Sequence, residues 1–286
     1  MARVWLFYMI PLVKLSDGST IPQLGFGTFQ VPPEDTAATV GTALEVGLRH
    51  IDTAQGYGNE AEVGEAIANS GLARDEVYVT SKLTNNEHKP EDVLRSFDET
   101  LKKLRLDKLD LFLIHWPLPT RYDGDFVSTW KAMVSLVEAG RLTSAGVSNF
   151  QPDHLERIIG ETGVTPVVNQ IEAHPYFNND EAREASRQHA IAVEAWGPLA
   201  KGEALKDEVI GGIASEVERA ASQVVLRWHI QRGDIVFPKS MHRERMVENM
   251  QIFDFELTEQ QMARIDALDR GEEGRQGPNP DTFDRV

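Results

Sequence analysis

Apolar runs and amphipathic segments alternate along most of the chain. Eight of the runs have the length and composition of β-strands, at positions 24–29, 48–52, 77–83, 109–116, 142–148, 166–170, 191–196 and 234–240. Most are nearly continuous in apolar residues, which is typical of strands that are covered on both faces. Strands that alternate with helices in this way predict parallel βαβ units.

The segments between the runs have the periodicity of helices. Asn59, with Glu62 three residues later, is predicted to cap one of them. Pro90 suits the first turn of the next helix, whose buried stripe is predicted to be Val93, Leu94, Phe97, Leu101 and Leu104. Comparable patterns cover residues 126–139, 152–160, 179–189, 222–231, 243–251 and 258–268, and Thr258 is predicted to cap the last of these helices.

One (β/α)8 TIM barrel of about 250 residues accounts for this pattern, and we expect residues 1–286 to form a single domain. A Gly-containing turn at residues 16–19 predicts an N-terminal β-hairpin, and a short C-terminal helix and a tail at 271–286 complete the chain. A doubly wound open sheet is the alternative, but it normally carries a Gly-rich fingerprint after its first strand. The chain offers only Gly25-Phe26-Gly27, with Gln30 where the last glycine belongs, so the barrel is preferred.

Residues 1–11 stand apart from this pattern. Arg3 precedes a short apolar run that resembles a weak signal peptide, but Pro11 interrupts the run and no small-residue cleavage site follows. We expect an extra strand or a disordered extension here, and we expect the protein to be cytoplasmic.

Composition excludes several classes of function. A formal net charge of −16 disfavours nucleic acid and anionic membranes as partners, because the mean field repels phosphate. A phosphorylated ligand therefore needs a local basic pocket. The absence of cysteine excludes disulfides and thiolate chemistry, and the eight scattered histidines show no metal-binding spacing, so we expect no metal. No apolar stretch approaches the ~20 residues that span a bilayer.

Polar residues occur where the predicted strands end. In a (β/α)8 barrel these carboxyl ends meet on one rim, which is where catalytic groups lie. The residues that we place on this rim are Asp52, Tyr57, Lys82, His115, Trp116, Ser148, Asn149, Asn169, Gln170, Trp196, Lys239 and Ser240. Each has an ordinary structural interpretation, such as a helix cap for Asp52, a packing residue for Tyr57 or a core histidine for His115. Their convergence favours a shared chemical role, because unpaired ionisable groups are costly to bury.

An ammonium, a carboxylate, a phenol and an imidazole can together move a proton to or from an oxygen on carbon. A lysine about 4 Å from a phenol, at an effective dielectric of about 20, is worth ~4 kcal/mol. We therefore expect Lys82 to lower the pKa of Tyr57 by up to ~3 units, with Asp52 holding the lysine charged. His115 can then orient the reacting oxygen.

Eight motifs in order resemble the aldo-keto reductases and cover residues 12 to 270: "LGFGTFQV", "GLRHIDTAQGYGNEAEVGEAI", "VTSKL", "LDLFLIHWP", "GVSNF", "NQIEAHPY", "AWGPLAKG" and "VFPKSMHRERMVENMQIFDFELT". Within that family, "AWGPL" and the short tail resemble the bacterial enzymes similar to 2,5-diketo-D-gluconate reductase. The resemblance implies an NAD(P)H-dependent reductase of aldehydes and ketones on a (β/α)8 barrel, with monomer as the usual form.

The resemblance also implies roles for individual residues. Tyr57 is the general acid, Lys82 and Asp52 are its tuning pair, and His115 orients the carbonyl. Ser148, Asn149 and Gln170 hold the nicotinamide carboxamide, and Trp196 stacks on its ring. The 2′-phosphate and adenine lie against Lys239, Ser240, Arg245, Glu248 and Asn249, and the cofactor set is completed by Gly197, Leu199, Met241 and His242.

The chain departs from the family pattern at two positions. His242 stands where relatives often have an arginine near the 2′-phosphate, so the preference for NADPH over NADH is expected to be weaker and pH-dependent. Thr84 stands where many members have a tryptophan, which should open the substrate pocket and make it more polar, while Phe29 and Trp116 remain as apolar walls.

Two other classes of function stay open. Lys82 suits a Schiff-base lyase, although Asp52 would keep it charged, and some barrels of the family are cofactor-binding sensors without efficient turnover. The substrate itself depends on residues 117–126, 197–212 and 271–286, whose paths the sequence does not determine. The short tail indicates an open site for small or polar carbonyls such as keto-sugars.

Overall fold

The computed structural model describes residues 10–286, so the expectation for the first nine residues lies outside the described residues. Ten strands occur in them: β1 Leu12–Lys14, β2 Thr20–Pro22, β3 Phe26–Gly27, β4 His50–Asp52, β5 Tyr78–Leu83, β6 Leu109–Ile114, β7 Leu142–Ser148, β8 Val168–Glu172, β9 Ala192–Trp196 and β10 Ile235–Val236. The helices are α1 Pro33–Val46, α2 Glu60–Asn69, α3 Pro90–Leu104, α4 Phe126–Glu138, α5 Pro152–Thr162, α6 Asp180–Gln188, α7 Glu208–Val217, α8 Ala221–Gln231, α9 Arg243–Met250 and α10 Glu259–Asp266.

Strands β3 to β10 form one parallel sheet in sequence order. A bridge between Leu24 and Val236 joins its two ends, with the Gly25 N–H donating to the Val236 carbonyl at 2.8 Å. The sheet therefore closes into a barrel with the helices outside it. The predicted (β/α)8 architecture is confirmed, and the carboxyl ends of all eight strands lie on one rim.

The N-terminal hairpin of β1 and β2 is also confirmed, with antiparallel pairing and Gly18 at φ 89° in its turn. Ser144, on β7, donates to Asp17 at 2.6 Å, and Leu15 and Ile21 pack with residues inside the barrel. The hairpin thus covers the end of the barrel opposite the rim. Pro11 accepts a backbone hydrogen bond from Gln23, so the contact with the barrel extends to this residue.

Two local predictions about the helices were wrong. Leu94 is 40% exposed, and the stripe of α3 continues instead through Ser96 and Thr100, which are buried. Asn59 makes no side-chain cap to α2. Its amide is buried and bonds the loops on either side of it, which a helix-capping pattern does not anticipate. In addition, α7 begins at Glu208, inside the segment that the sequence left as a loop.

Among residues 10–286, every helix is too short or too polar to traverse a lipid bilayer.

Candidate active site

The barrel rim collects most of the residues predicted from the strand ends, whereas the amide of Asn169 donates to Ser186 of the surrounding helix α6 at 3.3 Å. Asp52 and Lys82 lie on the neighbouring strands β4 and β5, with Asp52 paired in register to Thr80. Ser148 and Gln170 are register partners on β7 and β8, and Trp196 ends β9. His115 follows β6 directly. The catalytic and carboxamide-binding candidates therefore lie on one rim.

Asp52 and Lys82 form a buried ion pair. Lys82 Nζ donates to Asp52 Oδ1 at 2.6 Å and to the Thr53 carbonyl at 2.9 Å, and the lysine side chain is wholly buried. Burial opposes the charge on Lys82, but the Asp52 carboxylate and Tyr57 raise its pKa above the usual value. The lysine therefore remains an ammonium, with one proton left for a third partner.

Tyr57 is carried by a 3-10 turn, Gln55–Tyr57, at the rim. Gln55 fixes this turn: its amide donates to the Ser96 carbonyl and to Thr100, and its oxygen accepts from the Thr84 N–H at 2.7 Å.

Asn59 fixes the other end of the same loop. Its oxygen accepts from Thr53 at 3.0 Å, and its amide donates to the carbonyls of Thr28 and Val31. The sequence motif predicted the tyrosine but neither of these anchors.

The electrostatics of Tyr57 differ from the expectation. Lys82 Nζ lies 4.9 Å from the centre of the Tyr57 ring, and its charge does lower the pKa of the phenol. Burial has the larger effect, however, and the Asp52 charge adds to it, so the pKa of Tyr57 is raised rather than lowered. The predicted net decrease was therefore wrong. The phenol is protonated at neutral pH and so is ready to donate.

His115 faces the same space. Its ring lies 5.8 Å from that of Tyr57, in an edge-to-face arrangement. Burial and the charge of Lys82 lower the pKa of His115 to about 3. The imidazole is therefore neutral at physiological pH, and can donate a hydrogen bond to a substrate oxygen without competing as an acid.

Hydrogen bonds connect the candidates for carboxamide binding to one another. Asn149 donates to the His115 carbonyl at 2.9 Å and to Ser148 at 3.1 Å, and accepts from the Trp196 indole at 2.8 Å. Asn149 has φ 63°, a left-handed conformation that asparagine tolerates well. The Ser148 hydroxyl donates to the main-chain carbonyl of Gln170 at 2.9 Å. The indole of Trp196 is thus fixed at the rim while the side chain remains partly exposed.

The basic segment after β10 supplies free cations. Arg243 pairs with Glu45, whereas Lys239 and Arg245 are exposed and have no carboxylate within 4.0 Å in the described chain. Ser240 accepts from the His242 N–H at 3.1 Å, which shapes the turn into α9.

The remaining cofactor candidates lie in this segment and on the loop after β9. Met241 and His242 are exposed, Asn249 is buried on α9, and the Glu248 carboxylate accepts from Ser222 at 2.9 Å. Gly197, at φ 64°, and Leu199 lie on the loop after β9, next to Trp196 in sequence.

The substrate candidates flank Tyr57 and the tail. The Phe29 ring lies 5.0 Å from that of Tyr57 and is 57% exposed. Thr84 follows β5 and bonds Asn86, and Trp116 is buried against Phe283 of the tail, with ring centres 4.3 Å apart. Phe283 was missed, because the path of the tail cannot be read from its composition.

The C-terminal tail is held across the rim by Glu172. This buried carboxylate at the end of β8 accepts from the backbone N–H groups of Gln276 at 2.6 Å and Gly277 at 2.9 Å. A side chain at Gly277 would meet Trp196 at 2.4 Å, so only glycine allows the approach. The site is therefore more covered than the short tail suggested.

Two tail contacts lie further along the chain. Asp281 lies 3.6 Å from His154 Nε2, whose ring accepts from the Gln151 N–H through Nδ1. Asn85 donates to the Arg285 carbonyl at 2.8 Å.

Glu194 is a second residue that the sequence analysis missed. It lies on β9, two positions before Trp196, and is wholly buried beside Gln170. The sequence could have indicated Glu194 through its spacing from Trp196, because residues two apart on a strand lie on the same face of the sheet.

Comparison with known proteins agrees with this geometry. The sequence profile of the Aldo/keto reductase family matches residues 23–270. The chain is 49% identical over 273 residues to an aldo-keto reductase of Mycobacterium sp. (strain KMS), covering 96% of this chain and 98% of the relative. It is 42% identical to the methylglyoxal reductase DkgA of Escherichia coli (strain K12), covering 95% and 98% respectively.

Solved structures show the same relationship. The crystal structure of a mutant of Gox0644 in complex with NADPH is 45% identical, superposes with a TM-score of 0.91, and covers 96% of this chain and 98% of its own. An aldo/keto reductase from Brucella melitensis is 48% identical with a TM-score of 0.88, covering 91% and 98%. The chain is a member of the aldo/keto reductase family.

Proposed function

We propose that this protein reduces aldehydes and ketones to alcohols with NADPH, and that Tyr57 donates the proton. The observation that carries the proposal is the buried Asp52–Lys82 ion pair, which lies 2.6 Å apart beneath a protonated tyrosine at the barrel rim. A charged lysine in this place stabilises the phenolate that forms when Tyr57 gives up its proton.

The rim has groups that suit the cofactor. Lys239 and Arg245 are exposed cations without a carboxylate partner among the described residues, and they match the chemistry of a phosphate. The side-chain oxygen of Gln170, Oε1, accepts no hydrogen bond from residues 10–286, so it is available to an amide donor such as a carboxamide. The Trp196 indole, fixed by Asn149, offers a ring for stacking. The NADPH bound in the Gox0644 structure supports this assignment.

The residues act in a defined order in the proposed reaction. His115, neutral because its pKa is about 3, donates a hydrogen bond that orients the carbonyl oxygen. NADPH, when bound, supplies the hydride to the carbonyl carbon. Tyr57 transfers its proton to the oxygen, and Lys82 stabilises the resulting phenolate while Asp52 keeps Lys82 charged. Phe29, Trp116 and Phe283 form apolar walls around the substrate.

The substrate class that we propose is small or polar carbonyls, including 2-oxoaldehydes and keto-sugars. Thr84 in place of a large aromatic residue leaves room beside Tyr57, and the relative named methylglyoxal reductase supports the small end of this range. We also propose that the protein is a monomer in the cytoplasm, as the family resemblance implies.

The test is a panel of aldehydes, ketones, methylglyoxal and diketo-sugars, followed by loss of NADPH absorbance and run in parallel with NADH. Turnover of at least one carbonyl class, faster with NADPH, is expected. A protein that binds NADPH tightly but reduces nothing in the panel would instead be a sensor, and the proposed activity would be wrong.

A further inference from the structure

The barrel interior holds two carboxyl groups joined through one amide. Gln170 Nε2 donates to Asp52 Oδ2 at 2.9 Å and to Glu194 Oε2 at 2.7 Å. Both side-chain amide protons of Gln170 are therefore used within the barrel, and its side-chain oxygen is the one group left to accept a hydrogen bond. Glu194 is at the far end of a line of hydrogen bonds that runs through Gln170 and Asp52 to Lys82.

The other oxygen of Glu194 has no hydrogen-bond partner among the described residues. His50 Nε2 lies 3.9 Å from this oxygen, but that nitrogen is already paired with Thr80 at 3.1 Å. A carboxylate in this position would leave a full charge without a donor on that oxygen. A carboxylic acid would carry its proton there instead.

The surrounding charges favour the acid form. Lys82 is already paired with Asp52. The titratable groups on the facing strands cannot compensate either: burial lowers the pKa of His50 to about 3, and burial raises the pKa of Tyr78 well above its usual value. Burial and then the charge of Asp52 raise the pKa of Glu194 to about 8. Glu194 is therefore neutral at physiological pH and ionises just above it.

We propose that Glu194 is a positioning residue for carbonyl reduction, which as a neutral acid holds Gln170 against Asp52 and which weakens proton transfer from Tyr57 when it ionises. This inference rests on the proposed function. Ionised Glu194 adds a second negative charge behind Lys82, so the field that stabilises the Tyr57 phenolate is reduced. A shift of about one pKa unit in the proton donor corresponds to as much as about tenfold in rate.

The first experiment compares the pH dependence of turnover in three variants. Glu194→Gln keeps an acceptor oxygen for Gln170 but cannot ionise. Glu194→Leu has no acceptor oxygen and cannot ionise. Glu60→Gln is the matched control. Glu60 is also a buried acid, bonded to Ser81 at 2.7 Å and Thr100 at 3.0 Å, but it has no hydrogen bond to Asp52 or Gln170.

In the wild type, kcat is expected to fall about tenfold between about pH 7 and about pH 9. Glu194→Gln should retain the wild-type rate at about pH 6.5 and lose most of the fall, whereas Glu60→Gln should keep the fall. Glu194→Leu should have a lower kcat than the wild type at all pH values. The higher kcat of Glu194→Gln would show that an acceptor for Gln170 is enough to restore turnover. An unchanged fall in Glu194→Gln would overturn the proposal, even if Glu194→Leu does not fold.

A second measurement needs no activity. Because folding raises the pKa of Glu194 from 4.5 to about 8, the folded state keeps a proton that the unfolded chain has released, and this group makes the protein less stable as pH rises across that interval. The unfolding midpoint of Glu194→Gln, relative to that of the wild type, should therefore increase as the pH rises from about 5 to about 8.

Infrared spectra of the wild type should show a protonated carboxyl band that is missing in Glu194→Gln. Both results are expected even if no carbonyl is reduced, which separates failure of this inference from failure of the proposed function. A wild-type spectrum without that band at neutral pH would contradict the neutral acid.

Discussion

Lys82 Nζ lies 2.6 Å from Asp52 Oδ1, and the two side chains are almost wholly removed from solvent on adjacent strands of the barrel. Neither group could remain charged there alone, because the desolvation of an unpaired ion costs several kcal/mol. The pair therefore provides a fixed cation close to the Tyr57 ring.

Removing the acid should harm both stability and turnover. Asp52→Asn leaves Lys82 without its counter-ion and lowers the pKa of the lysine, so we expect about 3–5 kcal/mol less stability and turnover reduced about a hundredfold. Urea unfolding and NADPH consumption measure the two effects. Asp98→Asn, which removes an exposed partner of Arg141, should cost about 1 kcal/mol or less. Equal losses of stability in the two variants would show that the buried ion pair contributes no more than an exposed one.

The anchor of the tyrosine loop should affect turnover more than cofactor binding. Gln55→Ala removes the three hydrogen bonds that hold the turn Gln55–Tyr57, so kcat should fall about tenfold as the phenol loses its fixed position. The Kd for NADPH, measured by fluorescence, should change little. Gln188→Ala, on an exposed helix face, is the control. A larger change in Kd than in kcat would disprove the positioning role.

The tail should contribute to substrate binding. Phe283→Ala removes the ring that packs on Trp116 at 4.3 Å, an aromatic contact of about 0.5–1.5 kcal/mol. We expect KM to rise several-fold for aromatic aldehydes and to change less for methylglyoxal. Val286→Ala, which alters an exposed residue at the end of the tail, should leave both values unchanged. If KM for aromatic aldehydes stays the same in Phe283→Ala, the tail is not a substrate wall.

Cofactor preference should respond to the residue after Met241. His242→Arg places a permanent cation beside Ser240, near the free cations Lys239 and Arg245. A new charge-assisted hydrogen bond of about 1.4 kcal/mol would favour NADPH over NADH by about tenfold. The ratio of the two kcat/KM values measures the effect. His189→Arg adds the same charge after α6 and should not change the ratio, and an unchanged ratio in His242→Arg would place His242 away from the phosphate.

Much of the fold and of the rim followed from the sequence. The strands that carry Asp52, Lys82 and His115 are apolar runs of the right length, and parallel strands bring their carboxyl ends to one side. The hairpin and the cap of α10 by Thr258 are local features, because their turn and capping residues act over a few positions. These are the parts that short-range patterns determine.

The errors and omissions depend on long-range contacts. Glu194 was read as part of an apolar strand, although its pairing with Gln170 connects residues that are 24 positions apart. Phe283 reaches Trp116 because Glu172 holds the tail through the N–H groups of Gln276 and Gly277, which lie 104 and 105 residues further along the chain. The direction of the shift in the Tyr57 pKa depends on how far the folded chain shields this partly exposed side chain from water, which the spacing of residues in the sequence does not determine.

The most direct test of the central claim is Tyr57→Phe, which removes only the hydroxyl that is proposed to donate the proton. We expect kcat for carbonyl reduction to fall by about 10²–10⁴-fold, while the Kd for NADPH and the unfolding midpoint stay close to those of the wild type. Near-normal turnover in this variant would contradict the account, because the proton would then have to come from another group.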